Sequence, residues 1–484
     1  MSVIQKAFKA GIWLAAFKAV SQSFSWVATI IVARILVPED YGLMAMATIL
    51  TGYVVLFSEL GLGAAIIQRG KPTNEELSSL FWLVVCWGCF LSIVCILLSY
   101  PTVAIFKEPR ILRVTQSAAV LYILGAFLIV PRNILERALR FKAIGFIEAV
   151  ATMISCSLMI VIAALGGGVW TLIGGLIIQK AVTVILSFFV LSWRPTIHFD
   201  FVEIKPFLHF GLNLAGAGTL HYIYMNSDKF FAGRILGSII LGYYSFALQL
   251  ARIPADKIIV FMNRVSFPVF SRYQGEKREF NKFFLKLVKL VAFISFPLYI
   301  GGAFVADQLI PLVLGTKWMP IILPFKFLCI SQLIGSVFLT NAVVLNAKGL
   351  PHWNLYLATA NVLILPASFY IAARHGLIFM AIPWLVIEPV IRLGHTLATL
   401  KLMTISISDY LKTFIQPILA TCTMLCVLTL VKFGYLNILN LSNNFLKSYV
   451  ALLIVSGAVS YAGYIMVFSR STVTGIIRLA RGKY

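Results

Sequence analysis

Asn226-Ser-Asp-Lys-Phe-Phe-Ala-Gly-Arg-Ile-Leu-Gly237, continued by Leu241-Gly-Tyr-Tyr-Ser-Phe-Ala-Leu-Gln-Leu-Ala-Arg-Ile-Pro-Ala-Asp-Lys257, sets charged side chains into otherwise apolar sequence. It also repeats an earlier stretch at an offset of 200 positions. Arg34-Ile35-Leu36 aligns with Arg234-Ile235-Leu236, Gly42 with Gly242 and Ala47 with Ala247. Upstream, Gly11, Leu14 and Ala15 align with Gly211, Leu214 and Ala215. The chain is therefore doubled, with charges near the start of its second copy.

The composition names the solvent. Hydrophobic residues make up 60% of the 484 and charged residues 12%, against roughly 45–50% and 25% in soluble domains. Only lipid accommodates so much apolar surface. Runs near 20 residues recur along the chain, the length a helix needs to cross a hydrocarbon layer about 30 Å thick. The period-two alternation of barrel strands is missing. The formal charge of +23 does not indicate nucleic acid, because the basic residues alternate with membrane spans. All seven cysteines lie in apolar runs. The Cys86/Cys89 pair lacks a second pair to complete a metal knuckle, so these thiols read as small hydrophobes. No metal, cofactor or cleavable signal peptide is expected.

Apolar runs at about 12–33, 42–66, 80–105, 112–131, 144–166, 169–192, 208–233, 239–262, 290–313, 321–346, 354–373, 377–400, 411–431 and 446–468 predict fourteen transmembrane helices. Lysine and arginine concentrate on the N-terminal side of the membrane. Lys6, Lys9, Arg132, Arg137, Arg140, Lys142, Arg194, Lys205 and the tail from Arg470 to Lys483 lie there. By the positive-inside rule both termini are cytoplasmic in a multi-pass inner-membrane protein. The repeat offset covers six crossings, an even number, so the two copies enter the membrane in the same direction. The expected architecture is all-α: an N-lobe of six helices (1–193), a cytoplasmic linker (194–207), a C-lobe of six (208–402), and two appended helices with a basic tail (403–484). The lobes would be related by a pseudo-twofold along the membrane normal, with a cavity at their seam. Between Arg272 and Lys289, Lys282, Lys286 and Lys289 share one helical face while Phe280, Phe283, Phe284 and Leu287 favour the other. That pattern fits an amphipathic helix on the anionic inner leaflet or the start of the ninth span.

Charges within spans are costly and mark candidate sites. Lys18, Gln22, Ser25 and Thr29 form one polar stripe on the first helix, and Ser245, Gln249, Arg252 and Asp256 repeat the spacing on the eighth. Lys18, Lys180, Lys229, Arg252, Lys257 and Arg392 are the candidate cations of a central passage. Gln22, Ser25, Asp228, Gln249 and Asp256 are its candidate polar or coupling groups. Arg392 has an alternative partner in Glu388 at i−4. Lys326 near the start of the tenth span has the same sign. Few acids balance these bases (Glu59, Glu148, Asp228, Asp256 and Glu388), so an anionic cargo is expected. Arg34, Arg234, Gly42 and Gly242 suggest a turn and close-packing role. Pro254, between Arg252 and Asp256, is the candidate hinge. No phosphate-binding loop, paired aspartates or Ser/His/Asp set indicates an enzyme.

Asp228-Lys229, Gly233-Arg-Ile-Leu-Gly237, Leu241-Gly-Tyr-Tyr-Ser-Phe-Ala247, Pro254 and Val265-Ser-Phe-Pro268 closely resemble the Wzx-type polysaccharide flippases, the colanic-acid-exporter type being nearest. Ala33-Arg-Ile-Leu36, Tyr41-Gly-Leu43 and Ile67-Gln-Arg69 match the same group, and the resemblance spans essentially the whole chain. It implies a member of the multidrug/oligosaccharidyl-lipid/polysaccharide exporter superfamily. Such a protein would move an undecaprenyl-diphosphate-linked oligosaccharide, for lipopolysaccharide or exopolysaccharide, across the bacterial cytoplasmic membrane by alternating access. Its partners would be that lipid-linked substrate, membrane lipids and glycan polymerase or assembly proteins, around a monomeric transport unit. A cation-coupled multidrug exporter on the same scaffold would instead need an acid-lined pocket. A membrane glycan polymerase or ligase would need a sizeable external loop.

Overall fold

The structure, a computed structural model, describes residues 3–58, 73–200, 218–272, 276–435 and 446–468. Among the described residues every regular element is helical. A bilayer imposes this, since a lipid-facing backbone can satisfy its own polar groups only within a helix or a closed barrel. Glu59, Ile67-Gln-Arg69, Lys205, Gly211, Leu214, Ala215 and the basic tail lie outside the described residues.

The crossings are α1 (Val3–Ile35), α2 (Pro38–Val55), α3 (Asn74–Phe106), α4 (Ile111–Arg137), α5 (Phe141–Ala164) and α6 (Val169–Val190). They continue with α7 (218–231), α8 (Gly237–Arg272), α9 (Lys277–Leu314), α10 (Ile322–Ala347) and α11 (His352–Ala373). The last are α12 (Glu388–Met403), α13 (Ile407–Gly434) and α14 (Leu446–Phe468). Eleven described stretches are long and apolar enough to span a membrane. One of them, Gly218–Ile259, contains α7 and the larger part of α8. A π-helical segment, Ala232–Leu236, and Gly237 at φ +82° divide it, at the break expected from Arg234 to Gly237. The two predicted spans outside those eleven are α2 and α12, whose acids and bases lower their hydropathy. The fourteen-helix reading thus holds. Exposed side chains such as Phe189, Leu363 and Leu430 cover the outside, as a lipid-facing surface requires.

Local chemistry sets several helix starts. Thr73 opens α3 through a capping box: its Oγ1 accepts from the Glu76 N–H at 3.1 Å, and its own N–H donates to Glu76 Oε2 at 2.8 Å. Pro38 occupies the first turn of α2, and the Val37 N–H donates to Asp40 Oδ2 at 3.0 Å. Ser406 accepts from the Ser408 N–H at 3.2 Å to open α13.

The described contacts fall into two compact units, Met1–Tyr243 and Tyr244–Tyr484. In the first, α1 packs along α5, α5 along α6, and α3 along α4. The phenols of Tyr122 on α4 and Tyr222 on α7 donate to carbonyls of α2, Tyr122 to Thr51 and Tyr222 to Ile49 at 2.7 Å. In the second, α9 is central and packs on α10, α13 and α14. The segment from Lys277 is no separate interfacial helix: it forms the first turns of α9. Phe280, Phe284 and Leu287 are buried there against Phe270, Val344, Met403 and Tyr410. The protein's own core covers the aromatic face that the sequence pattern offered to a leaflet.

The duplicated glycines meet. A Cβ on Gly42 would strike the Ser238 carbonyl oxygen and stand 3.0 Å from the Gly242 nitrogen. A Cβ on Gly242 would strike the Pro38 carbonyl oxygen and stand 3.1 Å from the Gly42 nitrogen. Position 38 plus the repeat offset is position 238, so the contact is self-complementary, each copy presenting the same surface to the other. Backbones approach this closely only through small residues. Gly42→Ala and Gly242→Ala should each lower the thermal unfolding midpoint of the purified protein by several degrees, the consequence of about 1–3 kcal/mol of overpacking. Gly394→Ala, where a Cβ meets nothing within 4 Å, should leave the midpoint unchanged or raised; equal effects at all three positions would refute the close-contact account.

Candidate functional site

The clearest charged cluster inside spans lies in the first unit. Lys18 of α1 and Arg132 of α4 converge on Glu148 of α5. Lys18 Nζ stands 3.8 Å from Glu148 Oε2, and Arg132 Nη2 stands 3.4 Å from Oε1. Arg132 Nε also donates to Glu136 Oε1, one turn further along α4, at 2.9 Å. Both basic side chains are about half exposed, at 54% and 48%. Lys18 was anticipated as a passage cation, whereas Arg132 had been read only as a topological charge. Its i, i+4 spacing to Glu136 was visible in sequence; its convergence with Lys18 required the packing of α4 on α5.

Lys180 of α6 joins the same face of α4. A Cβ on Gly125 would lie 3.4 Å from Lys180 Nζ. Gly125 and Arg132 are seven residues apart, so they share a helix face about 10 Å apart along the axis. Gln22 and Ser25 continue the Lys18 stripe, half-buried, and the Thr29 hydroxyl returns to the Ser25 carbonyl at 2.8 Å. On α7, Asp228 is fully buried and accepts the Lys229 N–H at 2.6 Å. The half-buried Lys229 follows on another side of the helix.

The remaining candidates belong to the second unit. On α8, Gln249, Asp256 and Lys257 are exposed and Arg252 is half-buried. The helix continues through Pro254 without interruption. On α12, Arg392 Nε donates to Glu388 Oε1 at 2.6 Å, and the two side chains are only 16% and 5% exposed. Arg392 therefore takes the same-helix partner that its spacing offered. Asn341 of α10 donates to the buried Thr396 of α12 at 2.7 Å, an interhelical tie between uncharged side chains that no in-span charge marks. Lys326 is held by Asp307 at 2.7 Å, a partner on the neighbouring helix. Among the described residues no three metal-ligating side chains come together.

A second polar cluster joins helix connections at one end of the first unit. Arg110, between α3 and α4, donates to Glu39 at the start of α2 at 2.6 Å and to both oxygens of Glu108 at 2.8 Å. The Ser238 hydroxyl at the start of α8 reaches Glu39 Oε1 at 3.3 Å. A Cβ on Gly168, between α5 and α6, would stand 3.0 Å from Asp40. Four helix connections thus meet at one end, as alternating crossings demand. The hydrogen bonds from Arg110 hold the Glu108 carboxyl below the usual carboxylate range, and both carboxylates raise Arg110 in return.

Fourteen helical crossings, several with paired ionisable side chains, define a polytopic all-α membrane fold. Residues 31–323 match the family described as polysaccharide biosynthesis protein, and the chain belongs to that family. Its relatives include the lipopolysaccharide biosynthesis protein WzxC of Escherichia coli K12, 28% identical over 70% of this chain and 69% of that protein. The teichuronic acid biosynthesis protein TuaB of Bacillus subtilis 168 is 26% identical over 77% and 78%. In fold the chain is similar to the lipid II flippase MurJ in an inward closed conformation. That likeness has a TM-score of 0.73 and 16% identity, covering 96% of this chain and all of that one (100%). The family resemblance read from Asp228-Lys229 and the motifs around it is met.

The depressed Glu108 carboxyl adds stability that is present above its ordinary value of 4.5 and is lost as pH falls below it. Thermal midpoints measured from pH 7 to pH 3 should therefore fall on the acid side. Arg110→Gln should lower the midpoint at pH 7 and flatten that acid-side fall; an unchanged pH profile would count against the clasp.

Proposed function

We propose that this protein moves an undecaprenyl-diphosphate-linked oligosaccharide from the inner to the outer leaflet of the bacterial cytoplasmic membrane. The observation that carries this reading is the coincidence of family and fold. A member of a polysaccharide biosynthesis family has the fourteen-helix architecture of a lipid II flippase. WzxC and TuaB, by their names, serve the synthesis of lipopolysaccharide and teichuronic acid. Both classes of glycan need a hydrophilic building block brought across a bilayer. The chain has the composition for that task, with 40 lysines and arginines against 17 acids.

In this reading two six-helix lobes, 1–193 and 208–402, rock about a central passage, with α13, α14 and the tail appended. Lys18, Lys180, Lys229, Arg252 and Lys257 supply positive charge to the diphosphate, while Arg392, expected from the sequence to join them, is committed to Glu388; Gln22, Ser25, Asp228, Gln249 and Asp256 supply polar contacts. The polyprenyl tail stays in lipid. Pro254 gives α8 a place to bend, since its ring removes one backbone hydrogen bond. Both termini face the cytoplasm, where the basic connections meet the anionic leaflet. The transport unit is one chain, working beside glycan polymerase and assembly proteins. An inside-negative potential moves outward charge at about 2.3 kcal/mol per charge per 100 mV. Two phosphate charges crossing uncompensated would gain about 4–5 kcal/mol per 100 mV, so energetics does not require a coupling ion.

The test is glycan export in cells producing equal amounts of each variant. Lys18→Ala and Arg252→Ala should each reduce export severalfold, and the double variant should abolish it. Unimpaired export by the double variant would remove the cationic passage.

A further inference from the structure

The geometry points to Glu148 as an internal stand-in for the cargo's diphosphate. In the empty protein it holds Lys18 and Arg132 as a pair, and the arriving anion displaces it. This inference rests on the cationic-passage reading above and names an anion site within it. Lys18 and Arg132 come from different helices, yet each faces a different oxygen of one carboxylate. A bridging anion with oxygens on both sides is what such a pair is spaced to receive. A diphosphate presents that arrangement with more charge and more acceptors than a carboxylate has.

The contacts to Glu148 are loose, at 3.8 and 3.4 Å with half-exposed bases. By contrast Arg392 grips Glu388 at 2.6 Å, with both side chains largely buried. Removing one partner of a buried pair is expensive, whereas an exposed pair exchanges at little cost. The first arrangement suits release and the second suits permanence. Charge balance agrees. Lys18 and Arg132 are matched by Glu148 and Glu136, so these four side chains carry no net charge until a carboxylate withdraws.

Glu148 has somewhere to withdraw to. A crevice of about 20 Å³ that Glu148 itself lines also holds Arg132, Thr183 and Ser187 among apolar neighbours. That volume holds about one water, which is too small for a diphosphate but adequate for a shifted carboxylate. The diphosphate therefore binds on the exposed side of the two bases. Glu136 stays with Arg132 through its tighter 2.9 Å bond and keeps the guanidinium in place during the exchange.

The experiment is a calorimetric titration of the full-length protein in nanodiscs with geranylgeranyl diphosphate, using geranylgeraniol as the uncharged control. Glu148→Gln should tighten diphosphate binding about fivefold, the scale of a half-exposed ion pair. Arg132→Gln and Lys18→Gln should weaken it by a similar factor, and the alcohol should respond to none of them. Glu148→Asp, which draws the carboxylate back by one methylene, should tighten binding less than Gln does and serves if the Gln variant fails to fold. If removing the acid leaves binding unchanged or weaker while Lys18→Gln weakens it, the stand-in is wrong and the cationic passage survives. If no substitution, Lys18→Gln included, moves the affinity, both fall.

Discussion

Hydrocarbon offers no partner to a backbone amide or to a charge, and the architecture of this structure answers to that constraint. In the spans the backbone closes its own hydrogen bonds in helices. Several ions within the spans come with partners: Lys18 and Arg132 with Glu148, Lys326 with Asp307, Arg392 with Glu388. Two neutral groups on the first unit do the same, the Tyr122 and Tyr222 phenols turning to carbonyls of α2. The proposed movement of a charged lipid headgroup asks the protein to hold positive charge in this environment without collapsing around it. Pairing with a loosely held acid is one physical solution.

The pairs divide by burial. Glu388 and Arg392 sit in one helix, tight and dry, and act as part of the packing of α12. The Arg110 clasp with Glu39 and Glu108 gathers helix connections at the membrane's edge. The Lys18–Glu148–Arg132 group is spread over three helices and open on one side. Only the last combines cations from separate helices with access from outside, which is why it is the strongest candidate for meeting cargo.

Much of this was legible in the sequence, for reasons that are local or periodic. The hydrophobic runs announced fourteen crossings because a helix must match the bilayer's thickness along its own length. The repeat announced Gly42 and Gly242, because a residue without a Cβ is required wherever two helix backbones touch. Arg392 with Glu388 followed from i, i+4 spacing. The pattern between Lys282 and Lys289 was equally clear, yet periodicity says only that one face is apolar and not what covers it. Phe270 and Tyr410, distant in sequence, cover it here.

The sequence by itself determined the solvent, the helix count, the duplication and the excess of positive charge, since each depends on composition or on short-range spacing. Tertiary structure alone decided which charges meet. Lys18, Arg132 and Glu148 lie on three helices separated by up to 130 positions, and no spacing rule links residues on different helices. Their convergence depends on how α1 and α4 pack against α5, which side-chain shape and close contact settle only in the folded chain.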